Sequence, residues 1–367
     1  MGMGLMRLPV IDGDDSKIDE KAAEEMVDYA YEHGVTYFDT AWGYHGGNSE
    51  LLIGKALSKY PRDSFLLTTK FPSYDVSNFG KHEEIFERQL EKCQVDHFDF
   101  YLLHNICETN IEQYLAEDTY HTVEYFLEQR KAGRIRHLGF STHATQDTFM
   151  RFVERFGEDL EFCQIELNYF DWSFQNAKAK VDYCNEHGLP IVVMEPLRGS
   201  YLVNLDDAYK AKLAAVNPDM PPVEWALRWL QGVEGVKVVL SGSSTLDQMK
   251  QNIQIFSERK PLSDEENRAL AEIADDMAHA RGLACTGCHY CVSHCPQQLD
   301  IPYLISLYNE HLTKDPGQGF IAPMALAALP KDKWPDACIA CGACHSVCPQ
   351  ELPIPEFLAE FAAAMEG

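Results

Sequence analysis

Cys285-Thr286-Gly287-Cys288-His289-Tyr290-Cys291-Val292-Ser293-His294-Cys295-Pro296 is answered further along the chain by Cys338-Ile339-Ala340-Cys341-Gly342-Ala343-Cys344-His345-Ser346-Val347-Cys348-Pro349. Both runs read C-x2-C-x2-C-x3-C-P. With that spacing three thiolates of a run hold one iron–sulfur cube and the fourth reaches across to a second. Eight such ligands predict two [4Fe–4S] clusters, one held by Cys285, Cys288, Cys291 and Cys348, the other by Cys338, Cys341, Cys344 and Cys295. Crossed ligation makes the runs one domain, because neither closes a cluster alone. Structural zinc prefers paired C-x2-C or Cys/His knuckles with a longer gap between them. A disulfide ladder this tight belongs to small secreted domains, and no targeting segment is read here.

The repeat extends beyond the cysteines. Pro296-Gln297-Gln298-Leu299-Asp300-Ile301-Pro302 leads into an apolar helical stretch through Leu304, Ile305 and Leu307. Pro349-Gln350-Glu351-Leu352-Pro353-Ile354-Pro355 leads into Phe357, Leu358 and Phe361. Proline suits the first turn of a helix, where its missing N–H costs nothing. The 42 residues between Cys295 and Cys338 are largely helical in pattern, so this part resembles the helix-rich dicluster ferredoxins.

A chain of 367 residues, 46% hydrophobic and 24% charged, is long enough for more than one domain and too apolar for disorder. Its net charge of −26 and lack of a basic run argue against nucleic acid. The acidity reads first as a solvated surface; a docking face for a basic redox protein is the narrower idea. The longest apolar run, Phe320–Leu329, is broken by Pro323 and falls short of a membrane span, so no membrane is expected. Cys93, Cys107, Cys163 and Cys184 read as reduced core thiols, and a cytoplasmic location fits them.

Ahead of the clusters, short apolar strands alternate with amphipathic helices. Strands are expected over Gly4–Leu8, Thr36–Asp39, Phe65–Thr69, Phe98–Leu103, Ile135–Phe140, Phe162–Leu167, Ile191–Glu195 and Val236–Leu240, with helices over Asp19–His33, Thr119–Ala132 and Thr245–Phe256 among others. Eight strand–helix repeats predict a (β/α)8 TIM barrel. An open doubly wound sheet would advertise a G-x-G-x-x-G loop, and there is none. The expected division is an α/β barrel over residues 1–260, a connector helix over 261–280 capped by Ser263 and Glu266, and a mainly helical dicluster domain over 281–367.

Barrel chemistry sits at the C-terminal ends of the strands. Asp39, Lys70 and His104 fall there, and Tyr44 follows in the loop after Asp39. Reducing a carbonyl by hydride leaves an alkoxide that needs a proton. A phenol is too weak an acid unless its anion is stabilised. Lys70 beside Tyr44 would lower the phenol's pKa, Asp39 would keep Lys70 charged and aimed, and His104 would donate to the carbonyl oxygen as charge develops.

Phe38-Asp39-Thr40-Ala41 with Tyr44 and Ser49-Glu50, then Thr69-Lys70, then Leu102-Leu103-His104 resembles the aldo-keto reductase family across the barrel. With its tail the chain resembles the aldo-keto reductase–ferredoxin fusions. The resemblance implies a nicotinamide site: Ser141 of Gly139-Phe140-Ser141 and Gln164 on the carboxamide, Met194 where many members stack an aromatic on the ring, and Leu197 and Gly199 in a phosphate loop. After the last strand it implies Ser243, Gln248 and Asn252 on the adenosine phosphate. Thr142 stands where asparagine is commonest. NADP-preferring members commonly place Lys and Arg near Gly242 and Gln248; neither cation stands there in the sequence, so NAD(H) is expected over NADP(H). Members usually begin with a hairpin that plugs the barrel bottom, whereas Met1 leads almost directly into strand one.

Hydride moves two electrons together, whereas a [4Fe–4S] cluster passes one at a time. An ordinary nicotinamide-dependent reductase acting on a small-molecule carbonyl or alcohol is the leading expectation. The clusters would then be structural or would serve a separate redox partner protein. The alternative is a flavin in the barrel, fed single electrons by a ferredoxin-like donor through the clusters. A third idea, an electron-transfer module with a degenerate barrel, is disfavoured by the intact tetrad. Trp42, Tyr74, Phe79, Asn105, Tyr169 and Trp172 are expected around the substrate, with Asn168 and Arg198 reading a polar substituent.

Overall fold

Eight short parallel strands close on themselves in sequence order: β1 Gly2–Gly4, β2 Tyr37–Asp39, β3 Leu66–Phe71, β4 Phe98–Ile106, β5 Ile135–Thr142, β6 Cys163–Glu166, β7 Ile191–Met194 and β8 Val236–Ser241. β8 pairs back onto β1 through Gly2↔Leu240 and Met3↔Ser241. The structure, a computed structural model, describes residues 1–280, 282–283, 285, 288–313 and 321–365. Thr286 and Gly287 of the first cysteine run and Phe320 of the apolar run lie outside the described residues. Among the described residues no helix is long and apolar enough to cross a membrane.

Strand alternation explains where the site lies. Tyr37, Leu102, Phe162, Val192 and Leu240 form one buried cluster, with Leu66, Phe100 and Val238 packed on it. Side chains two residues apart share a strand face. One step further along the same faces come Asp39 after Tyr37, His104 after Leu102, Gln164 after Phe162 and Met194 after Val192, and Lys70 comes two steps after Leu66. The barrel is thus filled by hydrocarbon below and becomes polar towards its C-terminal mouth. At Gly139 a Cβ would lie 2.5 Å from the carbonyl oxygen and ring of Phe162, so glycine is what lets that ring fill the interior.

Two elements differ from expectation. The first strand is not Gly4–Leu8 but Gly2–Gly4. Gly2 nests where a Cβ would meet Leu240, Tyr37 and Val238 at 3.0 Å, and this close approach fixes the pairing. The expected Thr119–Ala132 helix is interrupted at His121, whose φ of 51° separates Glu117–Tyr120 from Thr122–Lys131. Other caps match their residues: Asp19 accepts from Ala22 N–H at the start of Glu20–Glu32, and Thr245 caps Leu246–Phe256.

The chain divides into two compact units: Met1–Pro196 with Val223–Asp264, and Leu197–Pro222 with Glu265–Gly367. The first holds the barrel. In the second, the segment after β7 is tied to the Asp264–Ala280 helix by an Asn217–Glu266 hydrogen bond of 3.0 Å and by the Lys212–Asp276 ion pair. Its core joins Leu304, Ile305 and Leu307 of the Ile301–Leu312 helix to Phe357, Leu358 and Phe361 of the Ile354–Met365 helix. Asp300 caps the first of these, with Pro302 in its opening turn.

Candidate active site and cluster ligands

Lys70 is fully buried. Its Nζ donates to Asp39 Oδ1 and to the Thr40 carbonyl oxygen, each at 2.7 Å, and lies 3.5 Å from the Tyr44 hydroxyl. Tyr44 opens a short turn, Tyr44–Gly47, directly after β2. The His104 ring stands nearly perpendicular to Tyr44 at 6.2 Å and to Tyr74 at 5.4 Å. Asp39, Tyr44, Lys70 and His104 therefore converge, from three neighbouring strand ends and one loop.

Burial is the largest influence on every one of these groups. It works against the Lys70 ammonium, but Asp39 and Tyr44 hold that pKa above the ordinary lysine value. It pushes the Tyr44 phenol up; Lys70 pulls the other way without overcoming it. The expectation of a phenol lowered outright is therefore corrected: Lys70 offsets part of the cost of burial. Burial, then the charges of Lys70 and His143, hold His104 well below the usual histidine value. His104 is accordingly a neutral imidazole, and its buried Nδ1 has no partner among the described residues.

A buried network stiffens the back of β3. Glu50 accepts from Thr69 Oγ1 at 2.7 Å, Gln89 Nε2 at 2.7 Å and Lys92 Nζ at 2.6 Å, and Gln89 also donates to the Lys70 carbonyl at 3.0 Å. These contacts fix the backbone that carries Lys70.

The residues expected to meet a nicotinamide carboxamide lie on adjacent strands in register, Ser141 opposite Gln164. Ser141 Oγ accepts the Asn105 N–H at 2.9 Å, which leaves its own proton to donate. Gln164 Nε2 rests 3.7 Å from Met194 Sδ, while its buried Oε1 has no partner among the described residues. An orphaned buried amide oxygen is costly and fits a ligand N–H. Thr142 is committed elsewhere, donating to Ile106 O at 2.8 Å and accepting from Ala144 N–H at 3.0 Å. After β8, Asn252 Nδ2 bridges Ser241 and Ser243 at 2.9 and 3.2 Å, and Gln248 Oε1 accepts the Ser244 N–H at 2.8 Å. Leu197 and Gly199 lie in a tight turn of the second unit, both half-buried.

Several expectations need correcting. Asn168 does not face a substrate: it is fully buried, donating to Asp171 Oδ2 at 2.7 Å and Glu195 O at 3.1 Å. Arg198 is fully buried too, bonded to Glu310 and Thr313. Phe79 belongs to the core, edge-on to Phe71 and Tyr114. Two features escaped the sequence. Arg7 lies beside Gly242, where a Cβ would sit 3.7 Å from its stem, with its guanidinium 4.0 Å from Glu195; a cation does stand near that loop, brought by β1–β8 pairing rather than by proximity in sequence. His143 pairs with Glu166 at 3.1 Å, one strand step beyond Ser141 and Gln164.

In the second unit, Cys295 of the first run lines one cavity with Cys338, Cys341 and Cys344 of the second, walled by Leu299, Ile301, Ile339 and Leu358. Burial pushes the Cys291 thiol up to about 11, with Cys285, Cys344 and Cys288 adding to it. Cys285 and Cys348 pack against the same apolar core. Among the described residues no three His, Cys, Asp or Glu side chains converge as ligands of a single ion. A cube differs in that its four thiolates each bind a different iron, and thiols spread around an apolar cavity suit that geometry. The four scattered cysteines, Cys93, Cys107, Cys163 and Cys184, are buried.

Residues 1–275 match the Aldo/keto reductase family, and residues 284–352 match the 4Fe-4S dicluster domain. The chain belongs to the aldo/keto reductase family and carries a 4Fe-4S dicluster domain behind its barrel; it is an aldo-keto reductase-like oxidoreductase. Among solved structures it is similar to the holo form of aldo-keto reductase AKR11C1 from Bacillus halodurans, with a TM-score of 0.60 and 25% identity over 74% of this chain and 91% of that one. An aldo-keto reductase from Klebsiella pneumoniae in complex with NADPH shares the fold, with a TM-score of 0.58 and 21% identity over 74% and 90%. Among characterised sequences it is similar to the NADH-specific methylglyoxal reductase of Escherichia coli, 22% identical over 76% of this chain and 95% of that protein.

Proposed function

We propose that the barrel reduces a small-molecule carbonyl to an alcohol, or runs the reverse, with Tyr44 as general acid. When bound, the nicotinamide supplies the hydride. Tyr44 then holds the proton that the nascent alkoxide takes, from a hydroxyl 3.5 Å from the Lys70 ammonium. Asp39 keeps Lys70 charged and directed, and the neutral His104 donates its single N–H to the carbonyl oxygen. Ser141 and Gln164 orient the carboxamide, with Met194 over the ring. On the barrel, Ser243, Gln248 and Asn252 bound the rest of the nucleotide; the family resemblance also assigns Leu197 and Gly199 to phosphate. The observation that carries this is the fully buried Lys70 Nζ shared between Asp39 and Tyr44.

NAD(H) is the preferred nucleotide. The loop after β8 offers no cation of its own, and Arg7 faces Glu195. The named relatives differ, one NADH-specific and one seen with NADPH, so a direct comparison of dissociation constants decides; tighter NADPH would overturn the preference.

The clusters, when bound, supply single-electron steps. Cys285, Cys288, Cys291 and Cys348 would hold one; Cys338, Cys341, Cys344 and Cys295 the other. Burial raises the Cys291 and Cys344 thiols, so iron must displace their protons as it binds.

The test is Tyr44→Phe in cluster-loaded protein. The expected result is a fall in carbonyl turnover of about 10²-fold or more, with iron content and NADH affinity retained. Undiminished turnover would contradict the role of Tyr44. Heating the wild type should release no flavin; a released flavin favours the alternative electron route.

A further inference from the structure

Arg198 follows β7 by four residues and is fully buried within the second unit. Its Nη1 donates to the carbonyl oxygen and hydroxyl of Thr313 at 2.6 and 2.7 Å, and its Nη2 pairs with the Glu310 carboxylate. The backbone here is unusual. φ is 48° at Arg198, 63° at Gly199 and 84° at Ser200. Three successive left-handed residues, two of them bearing side chains, persist only where their surroundings over-determine them. The planar fork of Arg198, locked between Glu310 and Thr313, is such a determinant.

The helix that receives Arg198, Ile301–Leu312, makes a second grip one residue earlier. Asn309 Oδ1 accepts the Leu283 N–H at 3.0 Å and its Nδ2 donates to the Leu283 carbonyl at 2.8 Å. A side chain at Gly282 would overlap the Asn309 amide. Leu283 lies two residues before Cys285, the first cysteine of its run. Leu299, just ahead of the same helix, and Ile301, its first residue, wall the cavity of Cys295, Cys338, Cys341 and Cys344.

We propose that Arg198 is a positioning residue that couples nucleotide binding to the iron–sulfur region. It fixes the backbone of Leu197 and Gly199 for the nucleotide's phosphates, and it ties that backbone to the helix that holds Leu283 beside Cys285. The coupling rests on the reading that Leu197 and Gly199 meet the nucleotide. Because linkage is reciprocal, occupancy of the loop must register at the clusters as much as the clusters register at the loop.

The probe is ADP-ribose, which carries the phosphates but no nicotinamide and so exchanges no electrons. Full-length, anaerobically purified, cluster-loaded protein is titrated with it. Wild type is expected to bind it and to show a perturbed electron paramagnetic resonance spectrum of its dithionite-reduced clusters. Arg198→Met combined with Glu310→Leu replaces the buried pair by apolar groups, an exchange that folds tolerate. That variant should keep its iron and its melting temperature, bind ADP-ribose about tenfold more weakly, and lose the spectral perturbation. If it loses iron, Arg198→Lys, which keeps the charge without the fork, is judged by the same criteria. Affinity within about twofold of wild type, or a perturbation that survives in the variant, overturns the coupling and leaves the cofactor reading intact. A wild type that binds neither ADP-ribose nor NADH overturns both.

Discussion

Burial of Lys70, Tyr44 and His104 in one pocket sets how they titrate. His104, held well below the usual histidine range, stays neutral across the ordinary imidazole titration. Tyr44, pushed up, stays protonated through neutral pH and gives up its proton only on the alkaline side. The proposed carbonyl reduction needs both of those forms. Its kcat/KM should therefore run level from about pH 6 to 8 and fall only at high pH. A step near pH 6.5 in the wild type would show that His104 titrates normally. Gln164→Leu tests the orphaned amide oxygen: NADH affinity should weaken by roughly 1–3 kcal/mol in binding free energy, the range for leaving a buried polar partner unpaired, with iron content unchanged. Calorimetric titration reads this, and unaltered affinity would remove Gln164 from the site.

Elements hold these residues through close contacts that single substitutions can break. Gly139→Ala would drive a methyl into Phe162, which has no room to move inside the barrel. A loss of about 1–3 kcal/mol in unfolding free energy is expected, read by denaturant melts; an unchanged midpoint would mean that Phe162 does not fill the interior. At this scale the limits of the sequence are physical. Asp39, Lys70 and His104 were legible because strand ends can be located from apolar runs and the polar residue that follows. β1 was misplaced because Gly2-Met3-Gly4 carries no β-forming signal; its pairing depends on smallness against Leu240 and Tyr37. The His143–Glu166 pair depends on the register of two strands, and the interruption at His121 on a single backbone angle. Asn168 read as a ligand contact because a polar residue after a strand looks the same whether it faces solvent, substrate or its own loop.

Across the whole molecule, a reductase barrel is joined to a dicluster domain, and long-range contacts decide how each part is built. The partners of Arg198 lie more than a hundred residues away in sequence, so no local pattern announces them. The cavity shared by Cys295 with the second run was legible, because the C-x2-C-x2-C-x3-C-P spacing already carries the crossing. Cys295→Ala should therefore lose the cluster of the second run, leaving about half the iron; full iron content would argue against crossed ligation. For the proposed reaction, the larger question is whether electrons reach the carbonyl as a hydride or singly through the clusters. Cluster-loaded protein given NADH dideuterated at C4, in ordinary water, decides it. Direct transfer predicts an alcohol with deuterium on the carbinol carbon. Product carrying only solvent hydrogen there would contradict the account.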